Sequence, residues 1–177
     1  ITRRFSLKQL LIFDLDDTLY SEVDYLAHVF EEYAKRSNIK VRVVDEYLSS
    51  FNRSSIYNTD LLSSFLIYCN QLSIENHARL FDIYSSVECS ITIFEKLKIA
   101  IDIARQSKVY VSILTNGVVD VQKNKVKCLG LENNVDSVFY AREYDGLEGE
   151  KPNVMAFKRV LDTYGVSALK ACMIGDS

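Results

Sequence analysis

Apolar and polar residues follow one another along this chain in blocks that predict strands and helices in turn. The run from Leu10 to Phe13 is short, apolar and closed by polar residues, which is typical of a strand buried on both faces. Similar runs recur at 109–114, 135–141 and 171–174. Because these runs alternate with segments of helical periodicity, we expect a parallel sheet with right-handed crossovers, flanked by helices.

Residues 21–90 interrupt this alternation, since their apolar residues recur at helical spacing and form no strong strand pattern. Helices are predicted over 21–37 and 41–51, and two more are expected to begin after Thr59 and Ser73 as N-caps. We therefore divide the chain into an α/β core, 1–20 with 91–177, and a helical insertion, 21–90. Most of the many aromatic residues in the insertion are expected to fill a small helical core.

Glycine and proline mark the turns of the second half of the chain. A helix is expected to end near residue 106, Gly117 relaxes the turn after the second strand, and Gly130 and Gly165 are placed to end two further helices. The polar segment 142–150 is expected to be a loop. The single proline, Pro152, suits the first position of the helix that follows.

Composition and charge exclude several classes of protein. Of the 177 residues, 48% are hydrophobic and 25% charged, which is the balance of a soluble globular protein. The formal net charge is −3 and no basic block is present, so we expect no nucleic-acid partner. The sequence has no secretory signal and no apolar run long enough to span a bilayer. We therefore expect a cytoplasmic protein without a membrane partner.

Cysteine and histidine offer little chemistry. Both histidines, His28 and His77, fall in predicted helices, which argues against a histidine-based mechanism or a zinc site. The cysteines are widely spaced and contain no CxxC pair, so we expect reduced, buried thiols. They are Cys69, Cys89, Cys128 and Cys172.

Candidate chemistry concentrates where the predicted strands end. Asp14 and Asp16 follow the first strand, Thr115 the second and Asp176 the fourth, and the carboxyl ends of parallel strands share one edge of a sheet. Asp14 and Asp176 can hold a hard cation such as Mg²⁺, and Thr115 and Lys151 can bind a phosphoryl group. An aspartate can also attack phosphorus. Each signal alone is common in turns; their joint placement favours phosphoryl transfer.

In four ordered motifs the sequence resembles the haloacid dehalogenase (HAD) superfamily, in its phosphatase branch. Segment 13–19 matches hhhDxDxT, and 114–117, 151–152 and 174–177 match the second motif, the third and the beginning of the fourth. The resemblance implies a Rossmann-like α/β core with an inserted helical cap, as in subfamily I. The chain starts at Ile1 and stops before a further acidic residue of the fourth motif, so we expect the core to be truncated at its C-terminal end.

The resemblance also implies a role for each motif residue. Asp14 would be the nucleophile that becomes phosphorylated, and Asp16 would protonate the leaving oxygen and then activate water. Mg²⁺ would be held by Asp14, the backbone carbonyl of Asp16 and Asp176. The phosphoryl oxygens would be bound by Thr115, the Asn116 backbone and Lys151.

The same resemblance suggests a substrate class. Dehalogenases of the superfamily lack the second aspartate of the first motif, so Asp16 favours phosphate esters, and the expected substrate is a small soluble phosphomonoester such as a nucleotide or sugar phosphate. A phosphomutase and a catalytically impaired binding or regulatory protein remain as alternatives. Three arginines of the insertion could meet a substrate carboxylate or second phosphate: Arg36, Arg42 and Arg53.

Overall fold

The computed structural model describes residues 9–50 and 60–175. Its contacts separate two compact units, one of Ile1–Ser21 with Ser90–Ser177 and one of Glu22–Cys89. The boundaries expected from the sequence differ from these by one residue at each junction. Whether the second unit acts as a cap stays a prediction.

Four parallel strands form the sheet of the first unit in the described residues: β1 (Leu10–Phe13), β2 (Tyr110–Thr115), β3 (Ser137–Tyr140) and β4 (Ala171–Ile174). Their order in the sheet is β3-β2-β1-β4. In the register of the sheet, Leu10 lies opposite Tyr110 and Ala171. This confirms the predicted parallel α/β fold, and the third strand lies within the expected segment 135–141.

Eight α-helices lie in the described ranges, four in each unit. Those of the helical unit are α1 (Glu22–Arg36), α2 (Val41–Ser49), α3 (Leu61–Tyr68) and α4 (Ile74–Ser86). Those of the α/β unit are α5 (Glu95–Gln106), α6 (Val119–Cys128), α7 (Arg142–Asp145) and α8 (Val154–Tyr164). Short 3₁₀ turns occupy Leu131–Asn133, Gly146–Gly149 and Ala168–Lys170.

Helix α8 covers one face of the sheet. Its residues Ala156 and Val160 pack with Leu10 and Ile12 of β1 and with Leu114 of β2 in one buried cluster. Burying an aliphatic side chain of this size contributes about 1.5–3 kcal/mol. This packing fixes the carboxyl ends of β1 and β2 side by side, which is where the candidate residues lie.

The helical unit has an aromatic core. The rings of Phe30 and Phe65 stack with centroids 4.1 Å apart, and Tyr33 and Tyr47 pack against Phe65. The hydroxyl of the buried Tyr25 donates to the backbone of α4 at Tyr84, 2.6 Å away. These contacts agree with the expectation that the aromatic residues fill a small core.

Two predictions about turns are wrong. Segment 142–150 is not an open loop, because it folds into α7 and a 3₁₀ turn, with Gly146 at φ 58° reversing the chain between them. Pro152 does not begin α8. The side chain of Asn153 accepts from the Met155 N–H at 2.8 Å and so caps a helix that starts at Val154.

The helix caps of the second unit were predicted in part. Ser73 caps α4 as expected, accepting from the Asn76 N–H. Helix α3 is capped by Asp60, whose side chain accepts from two backbone N–H groups, while Thr59 lies outside the described residues.

Only one thiol matches the expected burial. Cys128 is buried. Cys69 lies at the end of α3, Cys89 in a loop and Cys172 on the edge strand β4. These three thiols are half-buried, so the prediction is wrong for them. Along the described stretches, no helix combines the length and apolar character that crossing a bilayer requires.

Candidate active site

Asp14 begins the site, at the carboxyl end of β1. Its backbone N–H donates to the Ile174 carbonyl at 2.9 Å, so the β1–β4 pairing carries one residue beyond the strand and fixes the Asp14 backbone. The carboxylate oxygen Oδ1 accepts from the Leu15 N–H at 2.7 Å, and Oδ2 lies 2.5 Å from Lys151 Nζ. Both side chains are largely buried, at 14% and 11% exposure.

Burial is the largest influence on the pKa of Asp14, which is raised. Burial raises the pKa of the Asp14 carboxyl, and the Lys151 ammonium and the Leu15 N–H lower it by less. The charge of Asp16 adds to the rise. Asp14 is therefore a carboxylate whose anion is only partly stabilised by its surroundings.

Asn116 holds Lys151 in place. Its side-chain amide donates to the Lys151 carbonyl at 3.0 Å, and its side-chain oxygen accepts from the Lys151 N–H at 2.8 Å. The second and third motifs, 35 residues apart, are joined by this pair of hydrogen bonds. The Asn116 side chain thus positions the Lys151 backbone, and the contact of the Asn116 backbone with substrate that the resemblance implies stays a prediction.

A second link between these loops uses Glu150. Its Oε1 accepts from the Gly117 N–H at 2.7 Å and from Arg142 Nε at 2.6 Å. Sequence reasoning missed Glu150 and Arg142, because the polar segment that holds them was expected to be a loop without a role. An acidic residue directly before the Lys-Pro motif was the available signal.

Thr115 ends β2 and is buried. Its hydroxyl donates to the Asn116 carbonyl at 3.2 Å. The strand therefore delivers Thr115 and Asn116 to the same sheet edge as Asp14. The phosphoryl-binding role of Thr115 stays a prediction.

Asp16 faces helix α6 rather than Lys151. Its Oδ1 accepts from the Tyr20 hydroxyl at 2.5 Å and from Lys125 Nζ at 2.8 Å, and its Oδ2 accepts from Gln122 Nε2 at 2.9 Å. The Lys125 side chain is only 1% exposed, and that of Asp16 is 25% exposed. Sequence reasoning identified none of these three donors.

These donors decide the charge of Asp16. Burial raises its pKa, but the Lys125 ammonium and the hydrogen bonds from Lys125, Tyr20 and Gln122 together outweigh burial, so the pKa of Asp16 is lowered. Asp16 is therefore an ionised carboxylate at neutral pH in this structure.

Two predicted residues lie outside the described residues: Asp176 and Arg53. Gly175 brings the chain beside the site, since a Cβ at this glycine would lie 3.4 Å from the Asp14 Cβ. Arg36 and Arg42 form exposed ion pairs with Glu32 and Glu46 on their own helices, at 2.7 and 3.1 Å. Their contact with substrate stays a prediction.

The described donors suit Mg²⁺ only in part. In residues 9–50 and 60–175 there is no group of three carboxylate, histidine or cysteine side chains that could hold a metal ion. Asp14 does offer a hard oxygen ligand, and Mg²⁺ commonly takes one or two carboxylates and completes its octahedron with water and substrate phosphate. The Asp16 side chain is engaged by its three donors, and the Mg²⁺ contact of its backbone carbonyl that the resemblance implies stays a prediction.

The sequence matches the family of haloacid dehalogenase-like hydrolases over residues 11–177. Because this match spans nearly all of the chain, the protein belongs to that family and is a HAD superfamily hydrolase. No curated protein matches the sequence.

Solved structures share the fold. A HAD-superfamily hydrolase of subfamily IA, variant 1, from Geobacter sulfurreducens has a TM-score of 0.65 at 14% identity, over 100% of this chain and 82% of that one. The HAD hydrolase YfnB from Bacillus subtilis, described as bound to magnesium, has a TM-score of 0.63 at 19% identity, over 97% and 81%.

A haloacid dehalogenase is among these structures. The L-2-haloacid dehalogenase from Xanthobacter autotrophicus has a TM-score of 0.59 at 16% identity, over 94% of this chain and 69% of that one. At such identities the likeness is one of fold, so phosphatase and dehalogenase chemistry must be separated by the residues of the site.

Proposed function

We propose that this hydrolase is a Mg²⁺-dependent phosphatase that cleaves a small soluble phosphomonoester through an aspartyl-phosphate intermediate. The observation that carries the proposal is a second carboxylate, Asp16, two residues after Asp14 and held by side chains different from those that hold Asp14. A phosphate ester needs both a nucleophile and a group that transfers protons to and from oxygen.

The first half of the reaction transfers the phosphoryl group to the protein. A carboxylate oxygen of Asp14 attacks phosphorus while the bond from phosphorus to the alcohol oxygen breaks. Asp16, an anion in the free protein, takes up a proton from solvent as the substrate binds and delivers it to that oxygen as it leaves. Lys151, together with Thr115 and the Asn116 backbone, neutralises and orients the phosphoryl oxygens.

The second half hydrolyses the intermediate. Asp16, now ionised, takes a proton from water as the water oxygen attacks phosphorus, and the bond from phosphorus to Asp14 breaks to release inorganic phosphate. The described state of Asp16, an anion held by Lys125, Gln122 and Tyr20, supports this base role.

Mg²⁺ would be held by Asp14, the Asp16 backbone carbonyl and Asp176. When bound, it would neutralise charge on the phosphoryl group and align that group with the nucleophile. Arg36 and Arg42 are candidates for contact with the rest of the substrate, as is Arg53.

The test is phosphate release by the purified protein from a panel of nucleotides, sugar phosphates and p-nitrophenyl phosphate, with Mg²⁺ and with chelator. We expect Mg²⁺-dependent release that Asp14→Asn lowers by about 10⁴-fold or more, since loss of a covalent nucleophile removes the whole pathway. Asp102→Asn, an exposed aspartate on α5, is the matched control and should leave the rate unchanged.

Other outcomes would contradict the proposal. Activity that survives Asp14→Asn or persists in chelator excludes this mechanism. Isomerisation of a sugar phosphate without net phosphate release identifies a phosphomutase. Binding of phosphate esters without turnover of any of them identifies an impaired binding protein.

Dehalogenation is the competing function, because structures of L-2-haloacid dehalogenases share this fold. The assay is halide release from L-2-chloropropionate by the same preparation. Halide release in the absence of phosphate release would show that the protein is a dehalogenase and not a phosphatase.

A further inference from the structure

One helix holds both oxygens of the Asp16 carboxylate. Lys125 Nζ contacts Oδ1 at 2.8 Å, and Gln122 Nε2 contacts Oδ2 at 2.9 Å, from positions three residues apart on α6. A carboxylate that accepts at one oxygen can still rotate about its side-chain bonds. Attachment of both oxygens to one rigid helix fixes the plane of the group as well as its position.

Gln122 also joins Asp16 to the loop after β2. Its Nε2 donates to the Asn116 carbonyl at 2.7 Å as well as to Asp16. The Asp16 carboxylate and the Asn116 carbonyl are both acceptors only, so the Gln122 amide must turn its nitrogen, and not its oxygen, toward them. Gly117 makes room for it, since a Cβ there would lie 2.6 Å from Gln122 Nε2.

Stability alone does not explain these polar side chains. Lys125 occupies a buried position of α6 between the buried Val121 and Cys128, where an apolar residue would pack. Replacing a buried ion pair by apolar residues is often neutral or stabilising. Within the described part of the chain, the Gln122 Oε1 is also buried without a hydrogen-bond partner, which costs stability.

We propose that Lys125 and Gln122 are positioning residues that hold the Asp16 carboxylate in one orientation for proton transfer, and that Gln122 couples this orientation to the loop after β2. The inference rests on the proposed phosphatase function. Proton transfer requires heavy atoms within about 2.6–3.2 Å, so a carboxylate free to rotate would transfer protons less efficiently while substrate binding stayed the same.

The kinetic test compares phenyl phosphate with p-nitrophenyl phosphate, which have similar shapes but leaving groups of very different basicity. For Lys125→Met and Gln122→Met we expect kcat on phenyl phosphate to fall by about 10- to 100-fold with KM nearly unchanged, a part of the usual general-acid contribution. The loss on p-nitrophenyl phosphate should be under about threefold, because that leaving group needs little protonation.

Two further variants complete the kinetic test. Lys125→Arg should recover a substantial part of kcat on phenyl phosphate, and Lys127→Met, an exposed lysine on the same helix, should match the wild type. Equal losses on both esters, or a change confined to KM, would overturn the inference. If Lys125→Met does not fold, as judged by its melting transition, Gln122→Met decides the question.

A second readout does not depend on activity. Crystal structures of the wild type and Gln122→Met should show the Asp16 carboxylate in one orientation in the first and in a different or multiple orientation in the second. An unchanged carboxylate in the variant would refute the positioning role. A wild type that hydrolyses no phosphate ester would instead refute the proposed function, and the crystallographic comparison would still decide the orientation.

Discussion

On the Lys151 side of the site, which comprises Asp14, Asn116 and Lys151, one ammonium group and one backbone N–H face a partly buried carboxylate. On the Lys125 side, which comprises Asp16, Gln122 and Lys125, an ammonium, an amide and the Tyr20 hydroxyl face another. Burial raises the pKa of both carboxyls. The pKa is raised overall on the first side and lowered overall on the second.

The comparison shows that the set of donors, and not burial, separates the two aspartates. An anion that several donors stabilise is a weaker nucleophile and is held more firmly in place, whereas an anion with fewer donors keeps more of its reactivity. In the proposed mechanism, the sparsely stabilised Asp14 is accordingly the nucleophile that attacks phosphorus. In the proposed mechanism, the firmly held Asp16 transfers protons from a fixed position.

The largest effect on stability is expected from Lys125→Met. Removing the buried partner of Asp16 leaves that anion without its cation, so the free energy of unfolding should fall by about 3 kcal/mol at pH 7. Urea unfolding of the two proteins in chelator measures the loss. Lys127→Met should change stability by less than about 0.5 kcal/mol, as exposed substitutions usually do.

A double variant sharpens this prediction. Asp16→Leu combined with Lys125→Met removes both charges, so stability should recover most of the loss. A double variant as unstable as Lys125→Met would show that Lys125 stabilises the fold through packing and not through its charge.

Lys151→Met should cost less, about 1 kcal/mol at pH 7, although its side chain is also largely buried. The raised pKa of Asp14 means that this carboxyl takes up a proton more readily once its cation is gone, which limits the cost of an unpaired charge. The same urea titration measures the difference. A loss as large as that of Lys125→Met would contradict the contrast between the two sides.

Much of this arrangement could be predicted from local pattern. The strands are apolar runs that end in polar residues, so the pattern places Asp14, Asp16 and Thr115 at one sheet edge, and the structure brings Lys151 to Asp14. The hydrogen bonds between Asn116 and Lys151 span 35 residues, and no local pattern records such a contact.

Lys125 shows why the rest could not be predicted. Helix α6 was expected, but its lysines were given no role, and only tertiary packing distinguishes the buried Lys125 from the exposed Lys127. One signal was present: Lys125 lies four residues after Val121 and three before Cys128, within the apolar stripe of the helix. A charged residue in such a stripe indicates a buried partner.

The smallest effect, and the most direct comparison of the two sides, is expected in the pH dependence of stability. The folded pKa of Asp16 is lowered, so the stability it contributes is fully present above the unfolded value of about 3.9 and is lost as pH falls through the folded pKa. The folded pKa of Asp14 is raised, so the folded state keeps the Asp14 proton to a higher pH than the unfolded state does. The stability that Asp14 contributes therefore declines as pH rises from the unfolded pKa through the folded one.

The measurement is the free energy of unfolding of the wild type, Asp16→Asn and Asp14→Asn, in chelator from pH 7 to about 3. The difference between the wild type and each variant should change with pH in opposite directions for the two variants. Two differences that both decline as pH rises would mean that burial governs both carboxyls, and two that both increase would mean that the donors outweigh burial at Asp14 as well.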